Sequence, residues 1–241
     1  MLPKSRYKLI ASLQQKKYRT KNGLFVAEGL KVINELKNSA FKLSFICTTI
    51  DDEIAVTGEE IFHITERELQ KISFLKTPNK VLAVFKIPEQ PAIFKKGLTV
   101  VLDDVRDPGN LGTIIRLCDW FGVVQLVCSE QTVDCFNPKV VQATMGSIAR
   151  VQVIYTDLDT YLSKESRPIY AAVMNGASIY ADTLPQDAVL IMGNEANGIS
   201  ESVQQFATHP VTIPRFGTLQ KTESLNVAMA TSILLNEFRR P

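Results

Sequence analysis

Apolar residues along the front of the chain recur at two spacings. Leu9, Ile10 and Leu13 fall near helical spacing, and Leu30, Val32, Ile33 and Leu36 do so again within residues 27–36, so both stretches are expected as helices. Gly23-Leu24-Phe25-Val26 interrupts the pattern and reads as extended. Residues 43–48 alternate, which predicts a strand with Leu43, Phe45 and Cys47 on one face. Thr65 followed by Glu68 has capping-box spacing and opens a further helix. Residues 81–85 form a β-branched and aromatic run, a second strand signal. The front third therefore reads as a small α/β unit.

Ile87-Pro88-Glu89-Gln90-Pro91 carries two prolines in five residues, and proline favours extended backbone in the residue before it. A domain boundary is expected there, giving domains 1–91 and 92–241. Behind it, apolar runs at 98–102, 123–127, 169–173, 188–192 and 210–213 predict strands. Several are apolar on consecutive residues, as when helices cover both faces of a sheet. Helical patterns at about 110–121, 137–148, 199–207 and 225–239 lie between or after them. Such alternation implies an α/β domain around a mostly parallel sheet, whose ligands bind beyond the carboxyl ends of the strands.

Composition adds exclusions. The 241 residues, 45% hydrophobic and 22% charged, suit one large domain or two small ones. No apolar run approaches the roughly 20 residues of a membrane helix, and the start of the chain lacks the apolar core of a secretory signal. No membrane association is expected. Cys47, Cys118, Cys128 and Cys135 form no C-x-x-C pair and fit buried thiols, which points to a reducing, cytoplasmic setting. His63 and His209 lack metal-ligand spacing to any Cys or His, so no metal is expected, and no G-x-S-x-G elbow is present. Net charge is only +2, yet residues 1–97 hold 17 basic and 10 acidic groups. Residues 98–241 hold 10 and 15. The first 22 residues carry Lys4, Arg6, Lys8, Lys16, Lys17, Arg19 and Lys21 with no acid, which reads either as a solvated helix or as a face for a polyanion.

Three segments that follow predicted strands carry candidate chemistry. In Asp107-Pro108-Gly109-Asn110 a helix starts near Asn110, which either caps it or holds a ligand, and Arg116 follows six residues later. In Gly193-Asn194-Glu195-Ala196-Asn197-Gly198 the glycines have phosphate-loop spacing, but the Lys-Ser/Thr pair is missing and no G-x-G-x-x-G exists. What remains is a turn with a carboxylate and two amides, suited to main-chain contacts with a flat ligand. In Ile213-Pro214 to Ser224-Leu225-Asn226 a basic loop precedes a helix, with Ser224 expected as its N-cap or as part of a phosphate-binding helix start.

Taken together, Asn110…Arg116, Gly193-Asn194-Glu195…Gly198 and Ser224-Leu225-Asn226-Val227 resemble, in order and spacing, the three motifs of the TrmH/SpoU family of RNA ribose 2′-O-methyltransferases, within the SPOUT superfamily. The resemblance spans 98–240 and includes residues 137–148; residues 1–87, with Phe25-Val26-Ala27-Glu28-Gly29, are more loosely similar to the family's L30e-like domain. It implies a small L30e-like α/β domain that binds RNA, joined to a SPOUT α/β domain with a deep trefoil knot. It further implies S-adenosyl-methionine as cofactor, held by main-chain groups at Gly193, Ile213 and Leu225, and a homodimer. Arg116 would act on the ribose 2′-hydroxyl or its phosphate, with Asn110, Glu195, Ser224 and Asn226 orienting substrate and loops. RNA, ribosomal rather than transfer RNA, is the implied partner. The alternatives are a transfer RNA enzyme and a non-catalytic RNA-binding module. Two departures from the family pattern stand out: the 215–223 loop is longer than usual, and Ala196 occupies a position where glycine is common.

Overall fold

The computed structural model describes residues 2–50, 60–89, 92–219, 221 and 224–241. In chain order its elements are α1 (Lys4–Ser12), α2 (Lys16–Asn22), β1 (Leu24–Glu28), α3 (Leu30–Lys37), β2 (Leu43–Thr48), β3 (Glu60–His63), α4 (Glu66–Ile72) and β4 (Val81–Lys86). There follow β5 (Thr99–Leu102), α5 (Pro108–Trp120), β6 (Gln125–Cys128), α6 (Pro138–Ala143), β7 (Gln152–Tyr155) and α7 (Leu158–Leu162). The chain ends with β8 (Ile169–Ser178), β9 (Val189–Met192), α8 (Glu201–Gln204), β10 (His209–Thr212) and α9 (Val227–Arg239).

These elements form two compact units. The first holds the described residues before 90 together with 134–149, and the second holds 92–133 and 150–241. The linker prolines suggest a single cut at 91/92; Gln90 and Pro91 themselves lie outside the described residues, and 134–149 groups with the first unit. Chemistry explains that grouping. Phe136 sets its ring 4.7 Å from that of Phe25 on β1, and Phe25 also stacks with Phe85 on β4. Arg19 is 2% exposed, donates from Nε to Asp134 at 2.8 Å, and donates from Nη1 to the Leu13 and Gln14 carbonyls at 2.9 Å.

The first unit's sheet has the order β1-β4-β2-β3, antiparallel except for the β2–β3 pair. One face, with Val26, Phe45, Cys47, Leu82 and Val84, packs on Ile10 of α1 and on Leu69 and Ile72 of α4. Phe45 and Cys47 share a face as the alternation implies, but Ile46 and Thr48 are buried too, because both faces are covered. The capping box forms as spaced: Thr65 Oγ1 accepts from Glu68 N at 3.2 Å, and Glu68 Oε2 accepts from Thr65 N at 3.0 Å. The helix expected over 27–36 starts later, since Ala27 and Glu28 extend β1 and pair with Ala83 and Leu82. The strand β3 and helix α2 are short, and their patterns carry no clear period.

The second unit is built on six parallel strands in the order β10-β8-β9-β5-β6-β7. β5, β6 and β9 are buried at every residue, as expected of strands covered on both sides. β6 begins two residues later than the apolar run at 123–127 suggests, and β7 is an edge strand with a polar start. The helix expected at 137–148 stops at Ala143, because Met145 and Gly146 take positive φ of 52° and 97°. The strand order reverses between β5 and β9, so the loops after these strands open on one edge at the switch point. Among the described residues, no helix is long and apolar enough to cross a membrane.

Removing one partner of the buried Arg19–Asp134 pair leaves a desolvated charge. Asp134→Ala is expected to lower unfolding stability by about 3–5 kcal/mol, read from the shift of a urea or guanidinium transition.

Candidate active site

Three loops at the carboxyl ends of β5, β9 and β10 build the site. After β5, Asp107 caps α5 by accepting from Asn110 N at 2.8 Å, and Pro108 sits at the first helical position, where no N–H is needed. The expectation that α5 starts near Asn110 is thus corrected: Asp107 is the cap, which leaves the Asn110 side chain available for other contacts. Asp104, at φ 58°, accepts a 2.8 Å bond from Arg106 Nε, and this hydrogen bond and charge hold the Arg106 guanidinium above its ordinary pKa.

After β9, Asn194 organises the turn. Its Oδ1 accepts from the N–H groups of Ala196 and Asn197 at 2.8 and 3.1 Å. Its Nδ2 donates to the Asp104 carbonyl at 2.6 Å, and its backbone exchanges two 2.9 Å bonds with Gly198. Buried Asp103 accepts from Ser200 N at 2.8 Å, tying the same loop to the end of β5. A Cβ at Gly193 would lie 2.2 Å from Gly198 C and 2.3 Å from Ile199 N, so only glycine fits. Ala196 is absent from the positive-φ residues, so alanine there carries no backbone strain.

The third loop runs from β10 to α9; Gln220, Thr222 and Glu223 of it lie outside the described residues. Ser224 is not the cap of α9. Asn226 is, with Oδ1 accepting from Ala228 N at 3.0 Å and Met229 N at 3.3 Å. Its Nδ2 donates to Asn110 Oδ1 at 2.9 Å, and Asn110 Nδ2 donates to Glu195 Oε1 at 2.6 Å. A hydrogen-bonded line therefore runs from the N-terminus of α9 through Asn226 and Asn110 to the Glu195 carboxylate, one residue from each loop.

Beside this line lies a cleft of about 1360 Å³. Gly193, Glu195, Ile213, Ser224 and Leu225 all line it. Arg116 does not; it is exposed on α5, with no hydrogen bond or ion pair to it among the described residues. The sequence reading also left out one wall. β8 continues to Ser178, and its register against β10 jumps from Pro210↔Ala171 to Val211↔Ala177. The intervening excursion brings Met174 and Asn175 to the cleft. Only the glycine at 176 hints at it, since a Cβ there would meet Val211 N at 2.6 Å. Main-chain groups, an apolar floor that includes Val211 and Leu234, and a few amides suit a flat, partly polar ligand.

Known proteins share this fold. Residues 97–236 match the SpoU rRNA Methylase family, and residues 4–83 match the MRM3-like substrate binding domain. The chain is 30% identical over 236 residues to the 23S rRNA (guanosine(2553)-2′-O)-methyltransferase RlmP of Bacillus subtilis (strain 168), covering 94% of this chain and 93% of that protein. A putative RNA methyltransferase of the TrmH family from Porphyromonas gingivalis superposes with a TM-score of 0.91 at 37% identity, over 100% of this chain and 99% of that one. The AdoMet-bound rRNA methyltransferase from Sinorhizobium meliloti gives 0.88 at 30% identity, over 100% and 96%.

Two substitutions test the construction of the site. Asn226→Ala removes a helix cap and is expected to cost about 1 kcal/mol of stability, measured by chemical denaturation. Gly193→Ala forces the Gly198–Ile199 peptide away from the end of β9, and is expected to abolish S-adenosyl-methionine binding in calorimetry while far-ultraviolet circular dichroism stays native.

Proposed function

The chain belongs to the SpoU rRNA methylase family, and we infer from this that it transfers a methyl group from S-adenosyl-methionine to a ribose 2′-hydroxyl of ribosomal RNA. The observation that carries the reading is the hydrogen-bonded line from α9 through Asn226 and Asn110 to Glu195, beside a cleft lined by Gly193, Ile213 and Leu225. The cofactor fits the residues present. Gly193, Ile213 and Leu225 bring main chain to the cleft, and Leu225 and Val211 supply apolar surface for an adenine face.

When bound, S-adenosyl-methionine supplies a methyl group already activated on a positively charged sulfur. The chain's own residues must then align the acceptor oxygen and manage its proton. In this reading Gly193, Ile213 and Leu225 hold the cofactor through their main chains. Asn110 and Asn226 fix the carboxylate of Glu195 at the cleft, and Ser224 meets the substrate at its rim. Arg116 holds the RNA phosphate beside the acceptor and steadies the charge that develops there. A guanidinium offers only N–H donors and positive charge, so Arg116 is given the role of holding and steadying the phosphate and not that of a base.

The reading extends to a deep trefoil knot in residues 92–241, supported by the crowding of the 193–200 turn, the strand β10 and the start of α9 around one cleft. It extends to an RNA-binding, L30e-like front domain, supported by exposed Lys4, Lys8, Lys17 and Lys21. Arg19 is excluded from that face by its burial, and Arg6 donates to Glu60 at 2.5 Å. A homodimer through α5 and α9 is supported by Trp120 and Met229, 84% and 63% exposed on these packed helices. A reducing, cytoplasmic setting rests on four buried thiols; burial pushes those of Cys47 and Cys118 up to about 12.

The test is transfer of labelled methyl groups to RNA from cells lacking this protein. One alkali-resistant linkage in ribosomal RNA is expected. Arg116→Ala is expected to lower kcat/KM on the order of 100-fold or more without weakening cofactor binding. Label in transfer RNA redirects the substrate, and no label with no cofactor binding leaves only an RNA-binding module. RNA affinity of the wild type is expected to fall steeply with rising salt, as phosphate contacts by the front lysines require.

A further inference from the structure

The loop that follows β10 does more than close one side of the cleft. Phe216 and Leu219 line the cleft, yet they are 84% and 78% exposed. Of the large apolar side chains in this unit, Leu111, Ile114, Leu190 and Phe238 are fully buried, whereas Phe216 matches Trp120 as one of the most exposed. An aromatic ring held at the mouth of a reaction cleft exposes a flat apolar face next to the place where a substrate must enter. On the same loop Arg215 and Lys221 are exposed and also line the cleft. An apolar ring flanked by cations matches a nucleotide, which presents a π-face and a phosphate at a fixed short separation. A ribose brought to this cleft carries its own base and two neighbours within one nucleotide's length. Proteins read unstacked RNA bases by stacking them on aromatic rings, with backbone phosphates on nearby cations.

We propose that Phe216 is a substrate-binding residue, a platform on which a nucleobase at or next to the methylated nucleotide stacks, with Arg215 and Lys221 meeting the adjoining phosphates. The proposal rests on the methyltransferase reading of the same cleft. It gives this longer loop a role in engaging RNA that is distinct from holding the cofactor. Stacking tolerates any base, so the platform would strengthen engagement of the target segment and leave the choice of nucleotide to other contacts.

The experiment compares wild type, Phe216→Ala and Phe216→Tyr in labelled methyl transfer to ribosomal RNA from cells lacking this protein. Cofactor affinity by calorimetry and oligomeric state by sedimentation are measured on each. Phe216→Ala is expected to raise KM for RNA roughly tenfold or more, with unchanged cofactor affinity and oligomeric state. Phe216→Tyr, which keeps the flat ring, is expected to stay within about twofold of wild type. An unchanged RNA KM in Phe216→Ala overturns the proposal. So does a loss that follows weaker cofactor binding, which makes Phe216 a cofactor contact, or one that follows dissociation, which makes it a contact with a second copy. A wild type that transfers no methyl group overturns the parent reading as well, whereas an active wild type with an unaffected Phe216→Ala overturns this inference alone.

Discussion

Two asparagines joining three loops hold the site together. Asn226 spends its oxygen on the free N–H groups at the start of α9, and its amide then has one direction left, toward Asn110. Asn110 accepts that bond and passes its own amide hydrogens to Glu195. Each amide is both acceptor and donor, so the line has a single polarity that ends on a carboxylate. An amide carries the two functions on separate atoms, an oxygen that accepts and an NH2 that donates. Because α9, the α5 start and the turn after β9 are each tied to the next, displacing one loop strains all three.

The parallel sheet makes this convergence geometrically available. With all six strands running one way, every carboxyl end lies on one edge, and the order reversal at β5 and β9 opens a crevice there. Asp103 and Asp104, just beyond β5, anchor the turn beyond β9 through Ser200 N and Asn194 Nδ2. The tight Gly193 approach then fixes how near the turn can come to the strand it leaves. Chemistry at the cleft thus depends on a backbone architecture with little tolerance, while Arg116 stands outside that framework on an exposed helix face. A residue so placed is suited to meeting a phosphate that arrives with the substrate.

Most elements are legible in the chain because their period is local. The consecutive apolar runs of β5 and β9, the Thr65–Glu68 box and the amphipathic α3 each need only near neighbours in sequence to be recognised. Where the reading slipped, either a distant partner decided or neighbouring residues competed for one cap. Ala27 and Glu28 look helical with the residues that follow them, yet β4 offers them a ladder. Ser224 and Asn110 both have cap chemistry, but Asn226 and Asp107 reach the free N–H groups instead. Arg19 looked like one of a row of surface cations until Asp134, 115 residues away, and two carbonyls drew it inside.

By itself the sequence determined the α/β class, the parallel sheet, the three segments that carry chemistry and the kind of reaction they resemble, because residue type, period and spacing are properties of short stretches. Only the tertiary structure decided which atoms of those segments meet. Hydrogen bonds between Asn110, Glu195 and Asn226 span 85 and 116 residues, and no local pattern encodes a bond of that reach. The β8 excursion that walls the cleft and the grouping of 134–149 with the first unit arise likewise from distant surfaces fitting together.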